Sequence, residues 1–354
     1  MLKPVDETRM FEKMGTTLAN QGMEVSIIGY PSGNNVHAPG VSMLPLQQFG
    51  RLSVRRLFVP WIIFRKINRV KPHTIIINTP ELLVIALLHK LLYGRRVVYD
   101  VLENYYRTIR FTETYPRGVR LLMACMVRLT ELACAPFIDT FVLAEKGYSQ
   151  ELRFAKGTVI LENKLPKEIA GRYEHIRRGA YHRLIFTGTL APTTGVFEAI
   201  RLARKLHALH AEYTLTIIGY AALPEVLADI KRELADAPFI TLTGGDKLVA
   251  HRDILTEAAM AGTGLIIYPR NPATESSIPT KLYEYLALKL PVVISHTEES
   301  HRLVRQGNGG IVLEPNMSAA ELHEKIANAR FSFDYSDQIF WDSEAEKLLQ
   351  IVRK

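Results

Sequence analysis

Eight short runs in which Val, Ile and Leu follow one another without alternation dominate this chain: residues 24–30 (EVSIIGY), 73–78 (HTIIIN), 96–100 (RVVYD), 139–144 (DTFVLA), 183–188 (RLIFTG), 213–219 (YTLTIIG), 264–268 (GLIIY) and 291–295 (PVVIS). A strand with one wet face alternates apolar and polar residues, whereas a continuous apolar run implies a strand covered on both faces. Helical patterns separate the runs, so the expected fold is α/β, with parallel sheets sandwiched between helices and both halves doubly wound. A chain of 354 residues exceeds one compact core, so two domains are expected. The polar, aperiodic stretch 162–182 reads as the boundary. It separates an N-terminal domain over 1–165 from a second over 180–330, and a helical segment over 331–354 is expected to cross between them.

The start is unusual. A domain of this type opens on a strand, but MLKPVDETRMFEK runs almost at once into a helix. Either that strand is absent or the natural chain begins earlier. Apolar residues make up 47% of the chain and charged residues 23%, and no segment combines length and apolarity well enough to span a bilayer. No secretory leader is read ahead of the first helix. Cys125 and Cys134, the two cysteines, are too few for a disulfide framework and lack zinc-site spacing. A reducing cytoplasm fits best.

Residues 1–163 hold 21 Lys and Arg against 13 Asp and Glu, which is all of the chain's net charge of +8. The run from Arg51 to Lys71 contains Arg51, Arg55, Arg56, Arg65, Lys66, Arg69 and Lys71, with Trp61 and Phe64 among them and no acid. It reads either as a peripheral membrane contact on the inner face of the membrane or as an ordinary helix with one face on its own domain and arginines on the other. No nucleic-acid motif accompanies the charge.

The stretch SIPTKLYEYLALKLPVVIS, residues 277–295, starts as a helix and ends as a buried strand. Ser276 or Ser277 is placed to cap the helix and Pro279 to occupy its first turn. The first-turn amides and the helix dipole then form a phosphate site to which Lys281 adds a full charge. Glu284, three residues on, is able to accept hydrogen bonds from the two hydroxyls of a ribose. The competing reading is an exposed ion pair between Lys281 and Glu284.

The residues around that pair resemble the nucleotide-sugar signature of GT-B glycosyltransferases, particularly glycosyltransferase family four and related bacterial groups. The resemblance covers nearly the whole chain: PVDETRMFEKMGTTLANQGMEVSIIG (4–29) is similar to their first helix and second strand, VVYDVLENYY (97–106) to the acceptor-domain motif, IFTGTLAPTTG (185–195) to the opening of the donor domain, and GLIIYPRNPATESSIPTKLYEYLALKLPVVIS (264–295) to the donor site.

The resemblance implies that Glu284 binds the donor ribose and Lys281 the diphosphate, with Gly188, Thr189, Glu275, Ser277 and Thr280 around them. The chain departs from the family pattern at Thr189 and Thr194, where basic residues are frequent, at Ser276, where a first glutamate would stand beside Glu275, and at Leu102, often a histidine. Asp100, at the end of a strand, is a candidate general base or a helix cap, and Glu103 an alternative base or a partner for Asp100. Asp6 and Arg9 form a local pair at a helix start, or Arg9 lines an interdomain cleft. His251 is a candidate contact to sugar or base, or a structural histidine. No DxD triplet or ligand cluster points to a metal, and no cofactor is expected beyond the donor, a UDP or GDP sugar.

The implied architecture is two Rossmann-like domains facing a cleft. The implied activity is transfer of a hexose from a nucleotide sugar to a saccharide or lipid-linked acceptor in cell-envelope or exopolysaccharide synthesis. A nucleotide-sugar epimerase of the same fold and a non-catalytic subunit are the alternatives.

Overall fold

The structure, a computed structural model, describes residues 3–31, 36–47, 58–112 and 115–353. The chain divides into two compact units, one of Met1–Asn163 with Ser343–Lys354 and the other of Lys164–Asp342.

The first unit begins with a π-helical segment, Arg9–Gly15, that runs into α1 (Thr16–Ala19). Strands β1 (Val25–Gly29) and β2 (Val41–Pro45) follow, then α2 (Val59–Val70), β3 (Thr74–Ile77), α3 (Leu83–Tyr93), β4 (Arg96–Val101), α4 (Tyr105–Phe111), α5 (Arg117–Cys134), β5 (Thr140–Leu143), α6 (Tyr148–Glu151) and β6 (Thr158–Ile160). All pairings are parallel, but the strands form two sheets rather than one: β1-β2, and β3-β4-β5-β6. The four-stranded sheet is buried because its residues point alternately to two covered faces. Ile75, Ile77, Val97, Tyr99, Phe141 and Leu143 pack with Ile63, Ile67 and Leu83 of α2 and α3 in one core.

The second unit opens with α7 (Lys167–Gly171) and β7 (Arg183–Thr189), followed by α8 (Val196–Leu209), β8 (Thr214–Tyr220), α9 (Pro224–Leu234), β9 (Ile240–Gly245), α10 (His251–Met260), β10 (Thr263–Ile267), α11 (Thr280–Ala287), β11 (Val292–Ser295), α12 (Glu298–Gln306), β12 (Gly310–Val312) and α13 (Ala319–Asn328). Its single parallel sheet has the order β12-β11-β10-β7-β8-β9. Adjacent residues of β7 serve opposite cores: Leu184 and Phe186 join the cluster with Ile200 and Ile230, and Ile185 joins the one with Leu255 and Leu282. That is the doubly wound arrangement the continuous apolar runs imply.

The final helix, α14 (Asp342–Arg353), returns to the first unit, where Arg353 Nη2 donates to Gln21 Oε1 at 3.2 Å. Among the described residues no helix is long and apolar enough to cross a membrane. The basic run is seen only from Phe58 onward, so Arg51, Arg55 and Arg56 lie outside the described residues.

Candidate functional site

In the second unit the order of the sheet reverses between β7 and β10: from β7 the chain proceeds outward through β8 and β9, then returns to build β10, β11 and β12 on the other side. Loops leaving the carboxyl ends of two such strands part in opposite directions and leave a crevice, the usual ligand position in an open α/β sheet. Gly188 and Thr189 end β7, Tyr268 follows β10, His296 follows β11, and α11 starts nearby with Thr280 and Lys281.

Lys281 is buried. Its ammonium stands 3.8 Å over the ring of Phe186 and 5.3 Å from the ring centre of Tyr268, and its Nζ has no hydrogen-bond partner. Aromatic faces offer a cation some compensation, yet burial pulls the pKa from 10.5 down to about 7, with Glu284 opposing the fall. A buried polar group without a partner is rare and costly. An anion at this point would supply one.

Glu284 is also buried, and His251 Nε2 donates to its Oε1 at 3.0 Å, which fixes the carboxylate's orientation. The burial of both side chains rules out the exposed ion pair of Lys281 and Glu284. His251 stands at the first position of α10.

Gly188 has φ of 96°, a left-handed conformation that glycine adopts without strain, and a Cβ there would lie 4.0 Å from Lys281 Cε. The loop beyond it is closed by Thr194, whose hydroxyl donates to Thr189 O at 2.7 Å and accepts from Ala191 N at 3.2 Å. Thr194 is therefore a turn-closing residue.

The start of α11 differs from expectation. Pro279 holds the cap position in extended conformation (ψ 132°), and no side chain caps the helix. Ser277 lies in the preceding turn, its hydroxyl donating to Thr274 O at 2.9 Å. A proline at the cap already dictates entry into the helix, so no serine is needed. Glu275 is exposed.

His296, which the sequence reading passed over, is held by Nε2 donating to Ser277 O at 3.0 Å and packs 4.7 Å from Tyr268. Burial, with His301 and Lys281 nearby, lowers its pKa to about 4. The signal for it was its place directly after the strand PVVIS.

In the first unit Asp100 is fully buried and gripped by Arg9 from 91 residues away, with Nη2 donating to Oδ1 at 2.7 Å and Nε to Oδ2 at 2.9 Å. Both oxygens accept from the guanidinium. Asp100 is neither a helix cap nor a partner of Glu103, whose Oε2 accepts from Thr108 Oγ1 at 2.8 Å; Asn104 caps α4 instead. No group of three or more His, Cys, Asp or Glu among the described residues is arranged to hold a metal ion.

The arrangement of two parallel α/β units is shared with known proteins. Residues 181–329, which lie within the second unit, match the family described as Glycosyl transferases group 1. Sucrose-phosphate synthase from Thermosynechococcus elongatus superposes with a TM-score of 0.68 at 14% identity, over 96% of this chain and 91% of that one. Anabaena HepE in complex with UDP and glucose gives 0.60 at 13%, over 89% and 86%. A UDP-forming α,α-trehalose-phosphate synthase from Burkholderia xenovorans, in complex with glucose-6-phosphate, gives 0.67 at 10%, over 100% and 98%. At such identities these likenesses establish the fold. No curated protein matches the sequence.

Proposed function

We propose that the protein transfers a sugar from a nucleoside diphosphate sugar to an acceptor hydroxyl, with the donor held by the second unit and the acceptor by the first. The observation that carries this reading is the buried, partnerless ammonium of Lys281 at the start of α11. As the bond to the sugar breaks, charge develops on the departing diphosphate; Lys281 and the first-turn amides of α11 are the groups to receive it. Glu284, steadied by His251, accepts from the ribose hydroxyls, while the bare Gly188 backbone lets the phosphates approach. Thr189, Thr280, Ser277 and Glu275 complete the assigned donor surroundings. No metal is required on this account, and turnover is expected to survive EDTA.

A uridine nucleotide is the favoured donor, since two fold neighbours carry UDP in their descriptions. With Asp100 occupied by Arg9, its assigned role is to hold the N-terminal segment, and Glu103 remains the acid to test as base. The acceptor is assigned to a lipid-linked saccharide on the cytoplasmic face of a membrane. Exposed apolar side chains on α2, α3 and α5 support that assignment.

The test is thermal unfolding with UDP and GDP sugars, comparing wild type with Lys281→Met. A ligand bound only by the folded state raises the melting temperature. Lys281→Met should unfold at a higher temperature than wild type without ligand, because an uncompensated buried charge is gone. It should bind donor about 10- to 100-fold more weakly, as expected for one lost charged hydrogen bond. Equal stabilisation of both proteins by every nucleotide sugar would remove Lys281 from the donor site.

A further inference from the structure

Two stretches that the sequence keeps 19 residues apart meet close to Lys281. His296 directly follows β11, and its Nε2 lies 3.0 Å from the backbone oxygen of Ser277, in the turn that leads into α11. A carbonyl oxygen only accepts, so the proton of this imidazole sits on Nε2. Burial, with His301 and Lys281 adding to it, pulls the pKa down to about 4 and so disfavours a second proton. At neutral pH the ring is therefore an uncharged donor in one fixed tautomer.

Ser277 is held on its other sides as well. Its amide and its hydroxyl both donate to Thr274 O, at 3.1 and 2.9 Å. Thr274 N donates to Asn271 O at 3.0 Å, and Asn271 Oδ1 accepts from Ala273 N at 2.8 Å. The turn from 271 to 277 is thus closed by short-range bonds, and the bond from His296 ties it to the end of β11. Only Ile278 and Pro279 stand between Ser277 and Thr280, the first residue of α11, and the proline ring restricts φ. No side chain caps α11, so the preceding turn sets where the helix starts.

The same imidazole packs against the Tyr268 ring at 4.7 Å between centres, and the Tyr268 ring centre lies 5.3 Å from the Lys281 ammonium. His296 therefore meets both the turn that delivers Lys281 and a ring that Lys281 faces.

We propose that His296 is a positioning residue of the donor site. By donating from Nε2 to Ser277 O it fixes the start of α11, and with it the place where Lys281 and the first-turn amides meet the diphosphate of a nucleotide sugar. This role rests on the donor reading given above. The imidazole itself is not assigned a contact with the substrate.

The experiment compares His296→Gln with His296→Asn in the full chain. The glutamine amide reaches about as far along the side chain as Nε2, and the asparagine amide only as far as Nδ1, so the first retains a donor to Ser277 O and the second does not. Amide hydrogen exchange over residues 271–282, without ligand, reads the position of the turn. It should be about tenfold faster than wild type in His296→Asn and within about threefold of it in His296→Gln. Calorimetric titration with UDP and GDP reads the consequence: the Kd of the nucleotide that wild type binds should rise about tenfold in His296→Asn and stay within about threefold in His296→Gln, as expected for one hydrogen bond. His296→Met, similar in length to glutamine and unable to donate, takes the place of the asparagine variant should that one not fold. Equal losses in the glutamine and asparagine variants would overturn the proposal, because the bulk of the ring and not its bond would then carry the effect. Faster exchange without weaker nucleotide binding would overturn it too, leaving the bond a structural one. Failure of the wild type to bind either nucleotide would overturn the donor reading itself, and this role with it.

Discussion

Lys281 is protonated in the unfolded chain up to its ordinary pKa of 10.5 but in the folded protein only to about 7. Between these values unfolding takes up a proton, so the ligand-free protein gains stability from this group as pH rises and loses it again as pH falls toward the folded value. Binding runs in the opposite direction, because a diphosphate requires the ammonium. Affinity for UDP should be flat below about pH 7 and weaken by up to tenfold per pH unit above it, until the pKa in the complex is reached. Calorimetric titration of wild type and Lys281→Met across that range checks this; the slope should vanish in the variant. The Asp100–Arg9 pair behaves differently, since its two charges offset each other. Asp100→Asn removes the charged hydrogen bonds that hold a buried guanidinium and should lower folding stability by about 3 kcal/mol. A general base would instead show its loss in turnover with the melting temperature unchanged.

At the scale of elements, the end of β7 can pass close to Lys281 because residue 188 is left-handed and small. Gly188→Ala has room for its methyl group but not the conformation, which costs about 1–3 kcal/mol. It should also weaken UDP binding more than tenfold by filling the approach to Lys281, measured by titration beside thermal unfolding. The elements that were legible in the sequence share one property. All eight continuous runs are strands, and in β4, β5, β7, β10 and β11 burial on both faces excludes polar residues and leaves an unbroken pattern. The four strands that were not legible, β2, β6, β9 and β12, are the sheets' outer strands, short or punctuated by polar and glycine residues. Lys281 and Glu284 stood out through their motif. Arg9's partner, His251's grip on Glu284 and the place of His296 depend on contacts across 91, 33 and 19 residues, which local spacing does not encode.

At the scale of the whole molecule, charge and apolar surface are concentrated on the same unit. In α2, Val59, Ile63 and Ile67 are buried while Phe58 and Trp61 stand exposed, and Arg65 lies 5.5 Å over the Trp61 ring. Helix α3, which packs against both α2 and α5, exposes Leu91 and Leu92; α5 exposes Leu122, Met126 and Leu129, the last at 64%. An outer helical layer of this kind is more apolar than a surface that meets only water. All of the chain's excess positive charge lies in residues 1–163, the same part of the sequence. Aromatic and aliphatic groups that enter the headgroup region, with arginines beside them to meet lipid phosphates, match an anionic bilayer. The protein should therefore sediment with vesicles containing phosphatidylglycerol at low salt, bind neutral phosphatidylcholine vesicles at least tenfold more weakly, and be partly released by added salt as the charges are screened. The double variant Leu122→Glu, Leu129→Glu changes only exposed positions, so its folding stability should stay within about 1 kcal/mol of wild type while vesicle binding is lost. Unchanged sedimentation of that variant would move the contact away from α5, and self-association abolished by the same changes would assign the apolar layer to a second copy of the chain instead of a membrane.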